Sequence, residues 1–302
     1  MLILDKLRSY ENFTKTEIQV AQALLGIGTK IIDYSVRMLA EESYVSPATV
    51  VRLCVKLGYD GYEDFKEAFV NEQEYINRQF GKIDVNFPFE EDDSTTATAL
   101  KLSELYKDTI EDTMSLFSYG MMNKIISLMA RKRTIHIFSS GTALSVAESF
   151  KEKMQKIGKA VYITENQRYS LYDAVNLYND DMAIIISYSG KTKDMLNIAR
   201  FCKKRHVSII AITSFGDNTL SSFSDYVIHI STKENMFSNL GNFSTQISIF
   251  FILDLIYAEY FKLDYRKNYE KKKSITSLLE SKRYSDNPII QDETLFQDEA
   301  EE

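Results

Sequence analysis

The chain has 302 residues, of which 44% are hydrophobic and 26% charged, with a formal net charge of −7. The proportions are ordinary for a soluble globular protein, and the length fits about two domains. Three prolines and eleven glycines exclude a fibrous or low-complexity chain, and two cysteines, Cys54 and Cys202, exclude a disulfide framework and fit a reducing, cytoplasmic setting.

No apolar run approaches the ~20 residues of a membrane span. The longest candidate, Ile247 to Ala258, is interrupted by Asp254. The opening MLILDKLRSY carries charge too early for a signal peptide. An acidic chain is not an electrostatics-only nucleic-acid binder, but a small recognition module on an acidic body remains open.

Residues 1–78 read as a cluster of short helices. Thr14 and Glu17 form a capping box ahead of Ile18, Ala21 and Leu25 at helical spacing. A second helix starts near Ser35, with Met38 and Leu39 expected inward. Ser46 and Pro47 open a third as N-cap and first helical residue, and Gly58 supplies its left-handed end. Tyr62, Phe65 and Phe69 mark the stripe of a further helix.

Residues 79–98 lose that periodicity. Pro88, the acidic run Glu90 to Asp93 and a Ser/Thr tract make them a linker. From about residue 99 to 265, short apolar runs alternate with helical stretches: Thr134–Phe138, Ala160–Ile163, Met182–Ser187, Ser208–Thr213 and Tyr226–Ile230. That alternation predicts a five-stranded parallel sheet with helices on both faces. A long apolar helix is expected from about Ser244 to Phe261. Residues 266–302 form a polar tail, basic and then acidic, expected to be partly flexible.

Within Ser35 to Leu57, the residues Val50, Leu53, Cys54 and Leu57 fall on one buried stripe. The opposite face offers Ala48, Thr49, Arg52 and Lys56, small near the helix start and basic further on. A DNA major groove takes such a face: small residues allow close approach, and long donors reach bases and phosphates. Periodicity alone fits an ordinary antiparallel helix pair equally well.

The stretch LAEESYVSPATVVRLCVKLGYDGYEDFK, residues 39–66, resembles the helix-turn-helix of the RpiR/MurR family of bacterial transcription regulators. The family run is matched from Val45 and Ser46 through Ala48, Thr49, Arg52, Cys54, Leu57, Gly58 and Gly61 to Lys66. The resemblance implies DNA contact by Ser46, Ala48, Thr49, Arg52 and Lys56. The turn position that the family usually fills with Gly is Tyr44 here.

Two strand-to-helix turns carry unusual chemistry: Ser139-Ser140-Gly141-Thr142 after the first strand and Ser187-Tyr188-Ser189-Gly190-Lys191-Thr192 after the third. Hydroxyls and free N–H groups at a helix N-terminus make an anion site, and Gly190 allows close backbone approach. With only Lys191 and Lys193 as cations, the second turn suits a phosphate monoester better than a polyphosphate with a metal. The rival reading is that Ser and Gly merely make turns.

The SYSGKT run, with AITS from Ala211 to Ser214 and Asn218-Thr219-Leu220, resembles the sugar isomerase (SIS) domain. The likeness implies a flavodoxin-like α/β fold following an all-α helix-turn-helix domain. It also implies phosphosugar contact by Ser140, Gly141, Thr142, Ser187, Ser189, Gly190, Lys191 and Thr192. Ala143 stands where the family often has a second serine. RpiR/MurR regulators join the two domains in this order. The expectation is therefore a regulator of carbohydrate metabolism that binds double-stranded operator DNA and a phosphosugar effector. It should be a homodimer or tetramer with no membrane partner and no cofactor.

The alternative is a sugar-phosphate isomerase with an accessory helical domain. Isomerisation needs a base. His136 and His229 fall in predicted strands and His206 at a helix end. Glu148, Glu152 and Glu165 have no motif context that marks them as catalytic, and no cluster has metal-ligand spacing.

Overall fold

The computed structural model describes residues 2–77, 83–164, 166–280 and Asn287. The first unit holds α1 (Ile3–Ser9), α2 (Lys15–Ile27), α3 (Val36–Glu42), α4 (Pro47–Lys56) and α5 (Tyr62–Asn77). The Glu17 N–H donates to Thr14 Oγ1 at 3.3 Å and the Thr14 N–H returns to Glu17 Oε2 at 2.7 Å, closing the expected capping box. Leu24, Leu39, Val50, Leu53, Phe65 and Phe69 build the core. Burial of each such side chain contributes about 1.5–3 kcal/mol. Met38 departs from expectation and is 46% exposed. The buried stripe of the seven-residue α3 is centred between Leu39 and Ala40, and Met38, roughly 100° further round, falls outside it.

The second unit begins with α6 (Thr95–Ser115) and α7 (Tyr119–Arg131). The sheet follows, as β1 (Ile135–Phe138), β2 (Val161–Ile163), β3 (Met182–Ile186), β4 (Ser208–Ser214) and β5 (Tyr226–Ile230). Between the strands run α8 (Ala143–Lys156), α9 (Gln167–Asn176) and α10 (Lys193–Lys204). The order is β2-β1-β3-β4-β5, every pairing parallel. This is the five-stranded, helix-covered sheet that the alternation predicts.

Side chains of β3 divide by parity. Met182, Ile184 and Ile186 join the core under α7, α8 and α11 (Phe243–Lys262). Ala183 and Ile185 join Ala174 of α9 and Ile198 of α10 on the other face. A strand buried on both faces explains the uninterrupted apolar run Met-Ala-Ile-Ile-Ile.

Residues 265–279 form α12, beyond the point where the sequence predicts a polar tail. Asp264 starts it by accepting from the Lys267 N–H at 3.3 Å. Lys156 of α8 reaches Glu280 at 3.0 Å. Residues 281–286 and 288–302 of the expected tail, and Glu165, lie outside the described residues. Among the described residues no helix is long and apolar enough to cross a membrane.

Among the described residues, contacts tie the first unit and the linker to the second unit. Lys6 of α1 pairs with Asp217 after β4 at 2.7 Å. In the linker, Asn86 brackets the segment between β5 and α11: its side chain accepts from the Asn235 N–H at 2.6 Å and donates to Lys233 O at 3.4 Å.

Candidate functional site

The sheet reverses its order between β1 and β3, and the turns after these two strands are the Ser-rich ones. In open α/β sheets the crevice outside such a reversal receives ligands. Ser187 Oγ and Thr192 Oγ1 lie 3.0 Å apart, so the two hydroxyls are brought together as the spacing predicts. Ser187 is 6% exposed. Ser189 is placed differently: its hydroxyl accepts from the Lys191 N–H at 3.2 Å and shapes the turn. Ser140 is half-buried, while Gly141, Thr142 and Lys191 are exposed.

Gly190 has φ of +60°, and a β-carbon there would meet Asn218 Oδ1 at 2.0 Å. Only glycine fits. Leu220 N–H holds the Gly190 carbonyl at 3.0 Å, and Asn218 Nδ2 donates to Thr213 Oγ1 at 3.1 Å. The post-β4 segment thus fixes the back of the turn. Tyr188 points the other way, donating its hydroxyl to Glu234 O at 2.7 Å.

Helix capping distinguishes these turns from most other helix starts among the described residues. Thr14, Ser35, Ser46, Ser94, Ser118 and Asp264 each accept from a first-turn N–H of the helix they start. α1 and α11 lack such a residue and are capped from afar. Glu72 accepts from the Ile3 and Leu4 N–H groups at 2.6 and 2.8 Å, and Glu234 from those of Ser244 and Thr245 at 3.3 and 2.9 Å. α8 and α10 have no side-chain cap of their own, and among the described residues no carboxylate stands in for one. The Leu144 N–H of α8 turns back to Gly141 O at 3.2 Å, and the other first-turn N–H groups of the two helices lie at the reversal point with no side-chain cap, where an anion can be received.

In the first unit, α4 buries Val50, Leu53, Cys54 and Leu57 and exposes Ala48, Val51, Arg52 and Val55. Thr49 is 8% exposed, tucked against Ser46 Oγ at 3.0 Å and Arg52 Nη2 at 3.4 Å. Its hydroxyl belongs to the cap network and steadies Arg52. Lys56 is turned into the domain as well. Its ammonium donates to Asn12 O at 2.5 Å and Glu17 Oε2 at 2.8 Å and lies 5.6 Å from the Phe13 ring centre. The hydrogen bond from Lys56 is the foremost reason that the Glu17 carboxyl titrates below its ordinary value.

The histidines sit in packing contacts. His136 stacks on Tyr162 at 5.0 Å, and His229 meets Ser214 O at 3.0 Å and the Phe215 ring at 5.4 Å. Burial pushes both imidazoles below their ordinary value. His206 takes a left-handed conformation at the end of α10.

Sequence reasoning missed the roles of Asn218, Glu234 and Lys6. Lys6 meets Asp217 across 211 positions, and Asn218 and Glu234 act through loop contacts that follow no helical or strand period. The isolated Asn218-Thr219-Leu220 signature was the one available hint.

Comparison with known proteins matches residues 1–74 to the helix-turn-helix domain of the rpiR family and residues 128–258 to the SIS domain. An uncharacterized HTH-type transcriptional regulator of Clostridium perfringens is 28% identical over 281 residues, covering 92% of this chain and 99% of the relative. Another from Haemophilus influenzae is 27% identical over 257 residues, covering 85% and 88%. Among solved structures, the Vibrio vulnificus NanR protein complexed with ManNAc-6P superposes with a TM-score of 0.58 at 20% identity, covering 93% of this chain and 99% of that one. The chain belongs to the RpiR-type transcriptional regulators, an rpiR-family helix-turn-helix domain joined to a SIS domain.

Proposed function

We propose that this regulator senses a phosphosugar in the turns after β1 and β3 and relays its occupancy to the helices that hold DNA. Ser187, Thr192 and the open N–H groups of α8 and α10 take the phosphate. Ser140, Gly141, Thr142, Ser189, Gly190 and Lys191 complete the lining. The carbohydrate of the NanR complex, ManNAc-6P, is a ligand of this class. On DNA, Ala48 and Arg52 approach base edges and Ser46 approaches a phosphate. Thr49 orients Arg52, and Lys56 stabilises the domain.

One observation carries the reading: the anion turn and the helical unit are connected through side chains. Asn218 lies against Gly190, and its neighbour Asp217 holds Lys6. Asp217 is largely exposed, so the ion pair is worth at most about 1 kcal/mol. A contact that weak can open when a ligand prefers one arrangement, and the shift is bounded by that preference.

The chain acts as a homodimer or tetramer, so the operator is an imperfect palindrome. No catalytic step is assigned. Selection of bound duplexes from a randomised pool by the full chain should enrich a two-fold repeat. An unenriched pool would refute DNA recognition, and measurable isomerisation of a sugar phosphate would favour an enzyme.

A further inference from the structure

The turn between α3 and α4 has a bonding pattern that glycine ordinarily completes. The Val45 N–H donates to Ala40 O at 2.9 Å and the Tyr44 N–H to Glu41 O at 3.1 Å. These are the paired bonds of a Schellman cap, whose hinge residue must be left-handed. Tyr44 is that residue, with φ of +55°. An L-aromatic side chain is disfavoured there, because its β-carbon crowds the following carbonyl. Packing gives nothing in return, since Tyr44 is 90% exposed. A strained residue with an exposed aromatic ring, two positions before the Ser46 cap of α4, calls for a reason other than stability.

The surrounding charges supply one. Residues 1–75 hold 8 Lys/Arg against 12 Asp/Glu. Glu41 and Glu42 are exposed just before the turn, and Lys56 is committed to Glu17 and Asn12 O. Among the described residues, Arg52 is then the exposed cation of α4 that has no carboxylate partner, since the Lys56 ammonium is paired with Glu17. Residues 41–51, the turn and the start of α4, hold two carboxylates and no Lys/Arg. The donors that this turn itself offers to a DNA backbone are neutral: the Ser46 hydroxyl and the Tyr44 phenol.

We infer that Tyr44 is a DNA-contacting residue, its hydroxyl donating to a phosphate oxygen at the rim of the groove that α4 enters. This rests on the reading of α4 as a base-reading helix. A phenol brings no charge, so the contact releases no counterion and leaves the salt dependence of binding unchanged. It fixes where α4 sits along the groove, and with it the register of Arg52.

The test uses the full-length chain and its enriched duplex, with fluorescence anisotropy over a range of salt and thermal unfolding in parallel. Tyr44→Gly should weaken binding roughly ten- to a hundredfold, as expected for a lost hydrogen bond to a charged group. The slope of log K against log salt should stay the same, and the unfolding midpoint should not fall. Tyr44→Phe should weaken binding to a similar degree, because it keeps the ring and loses the donor. Equal binding by wild type and Tyr44→Gly would overturn the inference. Arg52→Ala separates the two levels. If that variant loses affinity while Tyr44→Gly does not, only the role of Tyr44 falls. If the wild type binds no duplex, the reading of α4 falls with it.

Discussion

The N-termini of α4 and α10 are built from similar residues and left in opposite states. Ser46 and Thr192 are both hydroxyl residues at the cap position. Ser46 accepts from the Thr49 N–H, so the first turn of α4 is partly satisfied within the domain. Thr192 makes no such bond; its hydroxyl lies 3.0 Å from Ser187 Oγ and the first turn of α10 stays open. A capped helix presents side chains, and side chains distinguish base edges. An uncapped helix presents its backbone, and backbone N–H groups bind an anion without regard to the rest of the ligand. On the proposed reading, the same local chemistry serves sequence reading at α4 and phosphate capture at α10.

The comparison can be broken most sharply at α10. Ser187→Ala with Thr192→Val removes both converging hydroxyls. Each charge-assisted bond contributes about 1.5–3 kcal/mol, so phosphosugar affinity should fall by roughly two orders of magnitude or more. Calorimetric titration reads this directly, while operator binding without ligand stays intact. At α4, Arg52→Ala should lose about 1–3 kcal/mol of operator affinity if the guanidinium reads a guanine. An unchanged dissociation constant would mean that the exposed face of α4 is not the reading face.

Lys56→Ala separates structure from recognition. It should lower stability by about 1 kcal/mol through the lost tie to Glu17, and leave operator affinity nearly as it was. Chemical denaturation beside anisotropy shows which quantity moves. The smallest effect concerns His229. Burial lowers its folded-state pKa from 6.5, so the unfolded chain binds the extra proton first. Stability from this group is full above pH 6.5 and declines as pH falls below it. His229→Gln should flatten that part of the pH–stability curve. An unaltered curve would assign the slope to other groups.

Much of this was legible in the residues because it is local. The Thr14–Glu17 box, the Ser46-Pro47 start and the parity of β3 are set by neighbours a few positions apart. The convergence of Ser187 and Thr192 follows from a single turn. The face of α4 was only half legible. At 100° per residue Thr49 and Lys56 lie only about 40° and 60° from Leu53, so spacing already places them near the buried side. Assigning them to the opposite face was a misreading that their contacts with Ser46, Asn12 O and Glu17 expose. Met38 was misjudged because one residue of offset in a short helix decides its side. The contacts between the units, Lys6 to Asp217 and Asn86 to the segment after β5, depend on tertiary placement that no periodicity records.

The most direct measurement titrates the wild-type chain and its operator duplex with the sugar phosphate that most raises its thermal midpoint. A saturable change in operator affinity is predicted, with half-effect at the ligand concentration that half-fills the site. Asp217→Ala should bind the ligand normally and change operator affinity less. An affinity that stays constant while the sugar phosphate site fills would contradict the account.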